Sequence, residues 1–269
     1  MLSKPSSPPL SNAATHTSQE FDGRVALVTG AAGAGIGQAV ARRLAAGGAT
    51  VVVTDIHEAR TLKVTEAIAR DYGTRVLGYP MDVADRGQVD EVVAAVKDEV
   101  GPIRILVNNA AINIMGDIFD YDPEDFERVL AVDLTAPWYL AMLTGRHMKE
   151  AGGGSIVNIG SIAGDRGSAA FEPPYGIAKG GSQALTRGLA KAGGPFNIRC
   201  NELTVGLVAE TRWTELHPEM LEDMLPDVPL GRHATPSDVA EAVAFLASDR
   251  SSFVTGDIMN LSGGFFFRG

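Results

Sequence analysis

Short runs of β-branched and apolar residues alternate with longer segments of helical periodicity from Arg24 onward. Such alternation is typical of βαβ units, which place parallel strands in one sheet. The apolar runs are nearly continuous, as expected for strands that helices cover on both faces. The predicted strands lie at residues 24–29, 50–55, 74–80, 103–108, 154–160, 196–203 and 257–262. The pattern therefore predicts an α/β fold, a single doubly wound domain with a seven-stranded parallel sheet flanked by helices.

Three segments outside this alternation predict chain ends and subunit contacts. Residues 1–20 are rich in Ser and Pro, with too little apolar area to offset their ordering entropy, which predicts a flexible arm before one folded domain at 21–269. The alternative is an arm that packs on a neighbouring subunit. Residues 123–151 are predicted to form one long helix that is apolar around most of its circumference, and a partner chain or its own loops would cover the face turned from the sheet. The apolar ending FFFRG is expected at a subunit interface or folded back over its own subunit.

The charge and composition exclude several classes of partner. The 269 residues carry a formal net charge of -10 and a pI near 5.0, with both signs interspersed, so a nucleic acid backbone would be repelled. No apolar run reaches the roughly 18 residues that span a bilayer, so no membrane segment is predicted. Cys200 is the single cysteine, which excludes an internal disulfide and fits a cytoplasmic protein.

A glycine-rich turn, TGAAGAGIG, joins the first strand to the next helix at 29–37. Its glycines let backbone N–H groups approach a pyrophosphate at the positive end of that helix. The residues assigned to this contact are Gly30, Gly33, Gly35, Ile36 and Gly37. Asp55 ends the second strand, where a carboxylate binds the ribose of a dinucleotide in a Rossmann-type domain. Because a carboxylate repels a 2'-phosphate, Asp55 favours NAD(H) over NADP(H), with His57 and Arg60 as opposing signals.

The segment YGIAK places Tyr175 and Lys179 four residues apart. In a helix this spacing puts the ammonium beside the phenol. A free phenol has a pKa near 10, and a nearby cation favours the phenolate, as proton transfer from an alcohol requires. The pair alone is a weak signal, because such spacing also arises by chance.

In combination, TGAAGAGIG, Asp55, NNAA at 108–111, NIGS ending at Ser161 and YGIAK resemble the short-chain dehydrogenases/reductases. The resemblance covers about residues 22 to 264. It implies an oxidoreductase that interconverts a secondary alcohol and a ketone by hydride transfer. Tyr175 would be the general acid/base, Lys179 would lower its pKa and hold the nicotinamide ribose, and Ser161 would polarise the oxygen of a small-molecule substrate. A homodimer or homotetramer is also implied.

Further cofactor contacts are expected at three places. Asn109 and Ala110 match the family segment that lines the adenosine pocket, and Thr211 matches a threonine that reaches the nicotinamide carboxamide. Asp82 and Val83 end the third strand, where they would meet the adenine. The alternative for Asp82 is a cap on the next helix.

The chain departs from the family pattern at four positions. Asp133 stands where the family usually has an Asn that supports a lysine-linked water relay, and we count it among the catalytic candidates. The Asp133 carboxylate either takes over the water contacts, or it favours the charged form of Lys179 and reduces the effect of that lysine on the pKa of Tyr175. The other departures are four residues instead of three between Gly30 and Gly35, Val205-Gly206 instead of Pro-Gly, and Ala111 instead of Gly.

The sequence supports two other functions less well than this one. A catalytically silent NAD(H)-binding redox sensor uses the same fold, but the Ser, Tyr and Lys are all present here. A metal-dependent hydrolase is not supported, because the five histidines show no ligand spacing, and no metal site is predicted. Residues 164–174 and 207–226 should border the substrate pocket. A sugar, polyol, hydroxy acid, cyclic alcohol or steroid all remain open, whereas Asp55 argues against the carrier-protein-linked 3-oxoacyl reductases, which commonly use NADP(H).

Overall fold

A computed structural model describes residues 19–167 and 172–267. Within them, seven parallel strands form one sheet in the order β3-β2-β1-β4-β5-β6-β7. The strands are β1 (Val25–Thr29), β2 (Thr50–Asp55), β3 (Val76–Pro80), β4 (Ile103–Asn108), β5 (Gly154–Ser161), β6 (Ile198–Val205) and β7 (Ile258–Leu261). The predicted seven-stranded, doubly wound sheet is confirmed. Because the winding reverses between β1 and β4, the carboxyl ends of these strands border a crevice.

Helices cover both faces of the sheet. They are α1 (Ile36–Ala46), α2 (Glu58–Tyr72), α3 (Arg86–Val100), α4 (Pro123–Leu130), α5 (Ala136–Glu150), α6 (Ala163–Arg166), α7 (Pro173–Gly193), α8 (Arg212–Leu216), α9 (Pro218–Met224) and α10 (Pro236–Ala247). In β1, Ala26 and Val28 pack towards α1, α2 and α10, whereas Val25 and Leu27 pack towards α3, α5 and α7. Since successive strand residues face opposite sides, burial on both faces explains the nearly continuous apolar runs.

The long helix expected at 123–151 is confirmed as one continuous helical run from Pro123 to Glu150. A π-helical segment, Ala131–Thr135, lies within it between α4 and α5. Pro137 has no N–H for the carbonyl of Asp133 four residues earlier, and in a regular α-helix its ring would clash with that carbonyl. The wider π turn accommodates the proline and leaves Asp133 buried in the interior.

The described residues nearest to each end of the chain contact the body of the domain. Of the arm expected at 1–20, residues 1–18 lie outside the described part, and Glu20 forms ion pairs with Arg43 and Arg250 at 2.8 Å each. At the other end, the ring of Phe265 lies 5.3 Å from the guanidinium of Arg166. The described part of the apolar tail therefore contacts its own subunit.

Candidate active site

A cavity of about 620 Å³ opens at the carboxyl ends of the central strands. Its lining is mostly apolar, with a few polar groups towards one side. Ser161 from the end of β5, Tyr175 from α7 and Thr211 before α8 all reach it. In open parallel sheets this edge is where ligands bind. Three of the predicted catalytic and nicotinamide-contacting residues therefore border one cavity, whereas Lys179 and Asp133 are buried behind its wall.

Helix α7 carries the Tyr-Lys pair. Two prolines, Pro173 and Pro174, begin the helix, where the missing N–H groups cost nothing. A spacing of about one helical turn then brings the Lys179 Nζ to 5.3 Å from the centre of the Tyr175 ring. Gly164 lies against the backbone of Lys179, and a Cβ at Gly164 would come within 2.6 Å of it, so a larger residue would push α7 away.

Lys179 is buried among groups that favour its charged form. Its Nζ donates a hydrogen bond to the carbonyl oxygen of Ile159 at 3.1 Å. The same atom lies 3.4 Å from Oδ2 of Asp133, whose other oxygen accepts the backbone N–H of Ile112 at 2.9 Å. The Asp133 carboxylate thus takes the place expected for a neutral amide and forms a direct ion pair with the lysine.

Burial and charge act in opposite directions on the proton-transfer residue. Burial raises the pKa of Tyr175, and the carboxylates of Asp133 and Glu172 raise it further, while Lys179 and a hydrogen bond with Ser161 lower it. The net direction is upward. Burial lowers the pKa of Lys179, but Asp133, Tyr175 and Glu202 together raise it above its usual value. Burial also raises the pKa of the Asp133 carboxyl, against the attraction of Lys179.

The glycine turn has a shape that side chains would block. Gly30 and Gly35 have φ angles of 61° and 135°, in the region that favours glycine. A Cβ at Gly37 would lie 2.5 Å from the carbonyl oxygen of Gly30, so only a glycine fits at this helix entry. Gly33 faces open space, and Ile36 begins α1. The turn therefore leaves bare backbone beside a helix N-terminus, as a dinucleotide pyrophosphate requires.

Asn109 and Ala110 brace this turn from the end of β4. The side-chain amide of Asn109 donates to the carbonyl oxygens of Thr29 at 2.8 Å and Gly30 at 3.0 Å. The backbone N–H groups of Asn109 and Ala110 both donate to Oγ1 of Thr29 at 3.0 Å. These two residues therefore fix the turn through hydrogen bonds of their own.

Asp55 lies beside the turn at the end of β2. One of its oxygens accepts the N–H of Ala32 and the other that of His57, both at 3.2 Å. Arg60 from α2 approaches the carboxylate to 3.7 Å. The carboxylate that was predicted to bind the ribose is thus held next to the glycine turn, with a cation nearby.

The remaining cofactor candidates lie at the same edge. Asp82 accepts the N–H of Ala84 at 2.9 Å, while the cap of α3 is Asp85, so Asp82 is not the helix cap that its alternative interpretation required. Val83 is buried next to it. Thr211 caps α8 and lies 3.7 Å from the position of a Cβ on Gly35, which brings the loop before α8 over the glycine turn.

Two polar groups near the site were missed or underweighted from the sequence. Asn113 lines the cavity, and its amide donates to the Glu172 carboxylate. Its Oδ1 is buried and accepts no hydrogen bond from the described residues. Glu202, a carboxylate fully buried in β6, accepts a hydrogen bond from Ser182 at 2.7 Å. Glu202 carried little signal in the sequence, because the same strand also contains the polar residues Arg199, Asn201 and Thr204.

Comparisons with known proteins agree in covering nearly the whole chain. A family model described as enoyl-(acyl carrier protein) reductase matches residues 30–266. The chain is 39% identical over 248 residues to the cis-4-hydroxycyclohexanecarboxylate dehydrogenase of Sinomonas cyclohexanicum, covering 92% of this chain and 98% of that protein. It is 33% identical over 247 residues to the 3-oxoacyl-(acyl-carrier-protein) reductase of Aquifex aeolicus, covering 92% and 99%. The solved structure of a short-chain type dehydrogenase/reductase from Mycobacterium marinum matches with a TM-score of 0.87 at 30% identity, covering 93% and 98%.

Proposed function

This chain belongs to the short-chain dehydrogenase/reductase family, and on that premise we propose that it is an NAD(H)-dependent enzyme that interconverts a secondary alcohol and a ketone. The observation that carries the proposal is that Ser161 and Tyr175 line one cavity beside the glycine turn, with the Lys179 ammonium buried next to the Tyr175 ring. A silent redox sensor would not need this proton-transfer arrangement. The relatives named as a dehydrogenase and a reductase support oxidoreductase chemistry.

The proposed mechanism assigns one task to each side chain. Ser161 donates a hydrogen bond to the substrate oxygen and holds it next to the Tyr175 hydroxyl. Tyr175 gives its proton to that oxygen in reduction and takes it back in oxidation. Lys179 stabilises the phenolate form, and Asp133 sets the charge of the lysine. The chemistry supplied by a bound nicotinamide is hydride transfer to or from the substrate carbon.

The residues present fit a dinucleotide, and Asp55 supports NAD(H) as the preferred form. The turn from Gly30 to Gly37 would hold the pyrophosphate, and Thr211 would cover the nicotinamide end. At the adenosine end a carboxylate would accept hydrogen bonds from ribose hydroxyls and repel a 2'-phosphate. His57 and Arg60 are the opposing features, and the proximity of Arg60 to Asp55 offsets part of its charge.

We propose an alicyclic alcohol or its ketone as the substrate class. The cavity walls are formed largely by apolar side chains, which match a compact hydrocarbon ring better than a sugar. They include Ile112, Ile162, Leu207, Val208, Trp213, Met220 and Met224. The partner-free Oδ1 of Asn113 and the Glu172 carboxylate would accept hydrogen bonds from a second polar group on the ring. The relative from Sinomonas is named for a hydroxycyclohexane substrate, which agrees with this choice.

We also propose a homodimer or homotetramer. Helices α5 and α7 each expose a large apolar side chain, with Trp138 exposed to 43% and Ile177 to 50%. These residues would lie at the subunit contact expected on this face.

In the described residues no helix has the length and apolarity needed to cross a membrane. The one cysteine, Cys200, is buried as a free thiol, which is compatible with the proposed cytoplasmic location.

The test is a turnover assay that follows the absorbance of reduced nicotinamide. Hydroxycyclohexane carboxylates, plain cyclohexanols, hydroxysteroids and polyols would be offered with NAD and with NADP, using wild type and Tyr175→Phe. We expect NAD-dependent turnover of the cyclic alcohols that the substitution abolishes. Tight NADH binding without turnover of any substrate would favour the redox sensor instead.

A further inference from the structure

A second buried carboxylate lies close to the catalytic lysine. Glu202 is a central residue of β6 and has no solvent exposure. Burying a charge is costly unless hydrogen bonds or opposite charges compensate it. Here Oε2 of Glu202 accepts hydrogen bonds from the hydroxyls of Ser182 at 2.7 Å and Thr186 at 3.4 Å, both on α7. These donors support the ionised carboxylate.

Two contacts with β5 show how near Glu202 comes to the lysine. The Lys179 ammonium donates to the carbonyl oxygen of Ile159, while a Cβ at Gly160 would collide with Oε1 of Glu202. Ile159 and Gly160 are consecutive, and Ser182 follows Lys179 by one helical turn. The ammonium and the carboxylate therefore occupy neighbouring positions between α7 and the sheet.

Negative groups outnumber positive groups around the Lys179 ammonium. Among the described residues that meet here, Lys179 is the single cation, and it faces the carboxylates of Asp133 and Glu202 and the phenol of Tyr175. On the same strand as Glu202, burial and then the Glu202 charge raise the pKa of the Cys200 thiol to about 12, so Cys200 stays neutral. The strand neighbours Asn158 on β5 and Ile258 on β7 are uncharged. Ionisation of Tyr175 would thus add a third negative charge around one positive charge.

We propose that Glu202 is a positioning residue that acts through Lys179, sharing its charge with Asp133 so that Tyr175 is held as a neutral phenol and the site favours carbonyl reduction at neutral pH. This inference rests on the proposed role of Tyr175 as the proton-transfer group. In reduction the carbonyl carbon gains a hydride from NADH, which becomes NAD⁺, and the carbonyl oxygen gains the Tyr175 proton. The phenol is the form that this direction requires, whereas alcohol oxidation requires the phenolate.

The deciding experiment measures the ionisation of Tyr175 directly and needs no substrate. The ultraviolet absorbance of tyrosinate would be titrated with pH in wild type and in Glu202→Gln, each with and without Tyr175→Phe. The difference between each pair isolates Tyr175. The amide keeps the size of the side chain and removes its charge, so we expect the Tyr175 midpoint to fall by about one pH unit, equivalent to ~tenfold more phenolate at a given pH.

Two further variants make the result specific. Glu150→Gln removes a carboxylate that pairs with Lys97 at the surface, at 2.7 Å, and it should leave the midpoint unchanged. Glu202→Met removes the same charge with a side chain of similar length, so a shift in the same direction is expected even if Glu202→Gln fails to fold. A Tyr175 midpoint that does not move to lower pH in the folded Glu202 variants, or that moves equally in Glu150→Gln, overturns the proposal. If no turnover is found with any alcohol, the titration still decides the role of Glu202.

Discussion

Replacing Asp133 by Asn tests how the direct ion pair controls proton transfer. The substitution removes one negative charge and keeps an oxygen that accepts the Ile112 N–H. Lys179 retains its hydrogen bond to Ile159, so its ammonium still has a partner. We expect the phenolate of Tyr175 to become easier to form, because it loses the repulsion of Asp133 and gains a larger share of the lysine charge.

The size of the effect follows from the geometry. Asp133 lies 3.4 Å from the Lys179 Nζ, which in turn lies 5.3 Å from the centre of the Tyr175 ring. The carboxylate is thus within roughly 9 Å of the ring, where two unit charges interact by about 2 kcal/mol at an effective dielectric constant of about 20. Since ~1.4 kcal/mol corresponds to one pKa unit, the Tyr175 ionisation should move down by about one unit or slightly more.

The assay is the pH profile of kcat for alcohol oxidation in wild type and Asp133→Asn. Oxidation needs the phenolate, so its rising limb should move to lower pH by about one unit. Removing one member of a buried ion pair is also expected to lower the free energy of unfolding by about 3–5 kcal/mol, so denaturant unfolding serves as the folding control. A folded variant whose oxidation limb stays in place, or moves to higher pH, would refute this reasoning and favour a role for Asp133 in water contacts alone.

Four further predictions address the cofactor site and the stability of the domain. Asp55→Asn should reduce discrimination against NADP by about tenfold (~1.4 kcal/mol), measured as the ratio of the two Kd values, and an unchanged ratio would show that Asp55 does not select the cofactor. Gly37→Ala places a Cβ 2.5 Å from a carbonyl oxygen and should destabilise the fold by about 1–3 kcal/mol while weakening NADH binding, both measured by titration. Phe21→Ala removes a fully buried ring and should cost about 3–5 kcal/mol in denaturant unfolding, unless this end of the chain contributes little to the core. Arg232 lowers the pKa of Asp238 to about 2, so this carboxylate stabilises the fold above about pH 4 and the stabilisation is lost as the pH falls towards 2. In Asp238→Asn, the free energy of unfolding should therefore depend less on pH between 4 and 2.

The parts of the fold that the sequence predicts well depend on local pattern. In β1, alternate residues such as Ala26 and Leu27 face two different apolar clusters, so the strand is apolar throughout and is recognised as buried. The glycine turn and the Tyr175 to Lys179 spacing are local in the same sense. The long helix at 123–151 was likewise predicted from its local apolar pattern, whereas the π-helical turn before Pro137 was not predicted.

The parts that could not be predicted depend on contacts between distant segments. Asn113 and Glu172 are 59 residues apart in sequence and meet only because the loop after β4 and the start of α7 border one cavity. Glu202 lies in a strand of mixed polar and apolar residues, which gives no indication of its partner Ser182 on α7. The pKa of Tyr175 depends on whether burial or the charge of Lys179 has the larger effect. This balance is set by how α7 packs on the sheet, which the spacing of residues in the sequence does not predict.

The close packing of Glu202 against Gly160 also constrains how this sequence can diverge. The carboxylate occupies the space where a Cβ on residue 160 would lie, so even alanine at that position collides with it. A shorter residue at 202 would remove the collision, whereas a change at 160 alone would displace the carboxylate from Ser182. A side chain at position 160 is therefore tolerated only after Glu202 has been replaced by a shorter residue. Descendants of this sequence that keep Glu202 should retain a glycine immediately before Ser161.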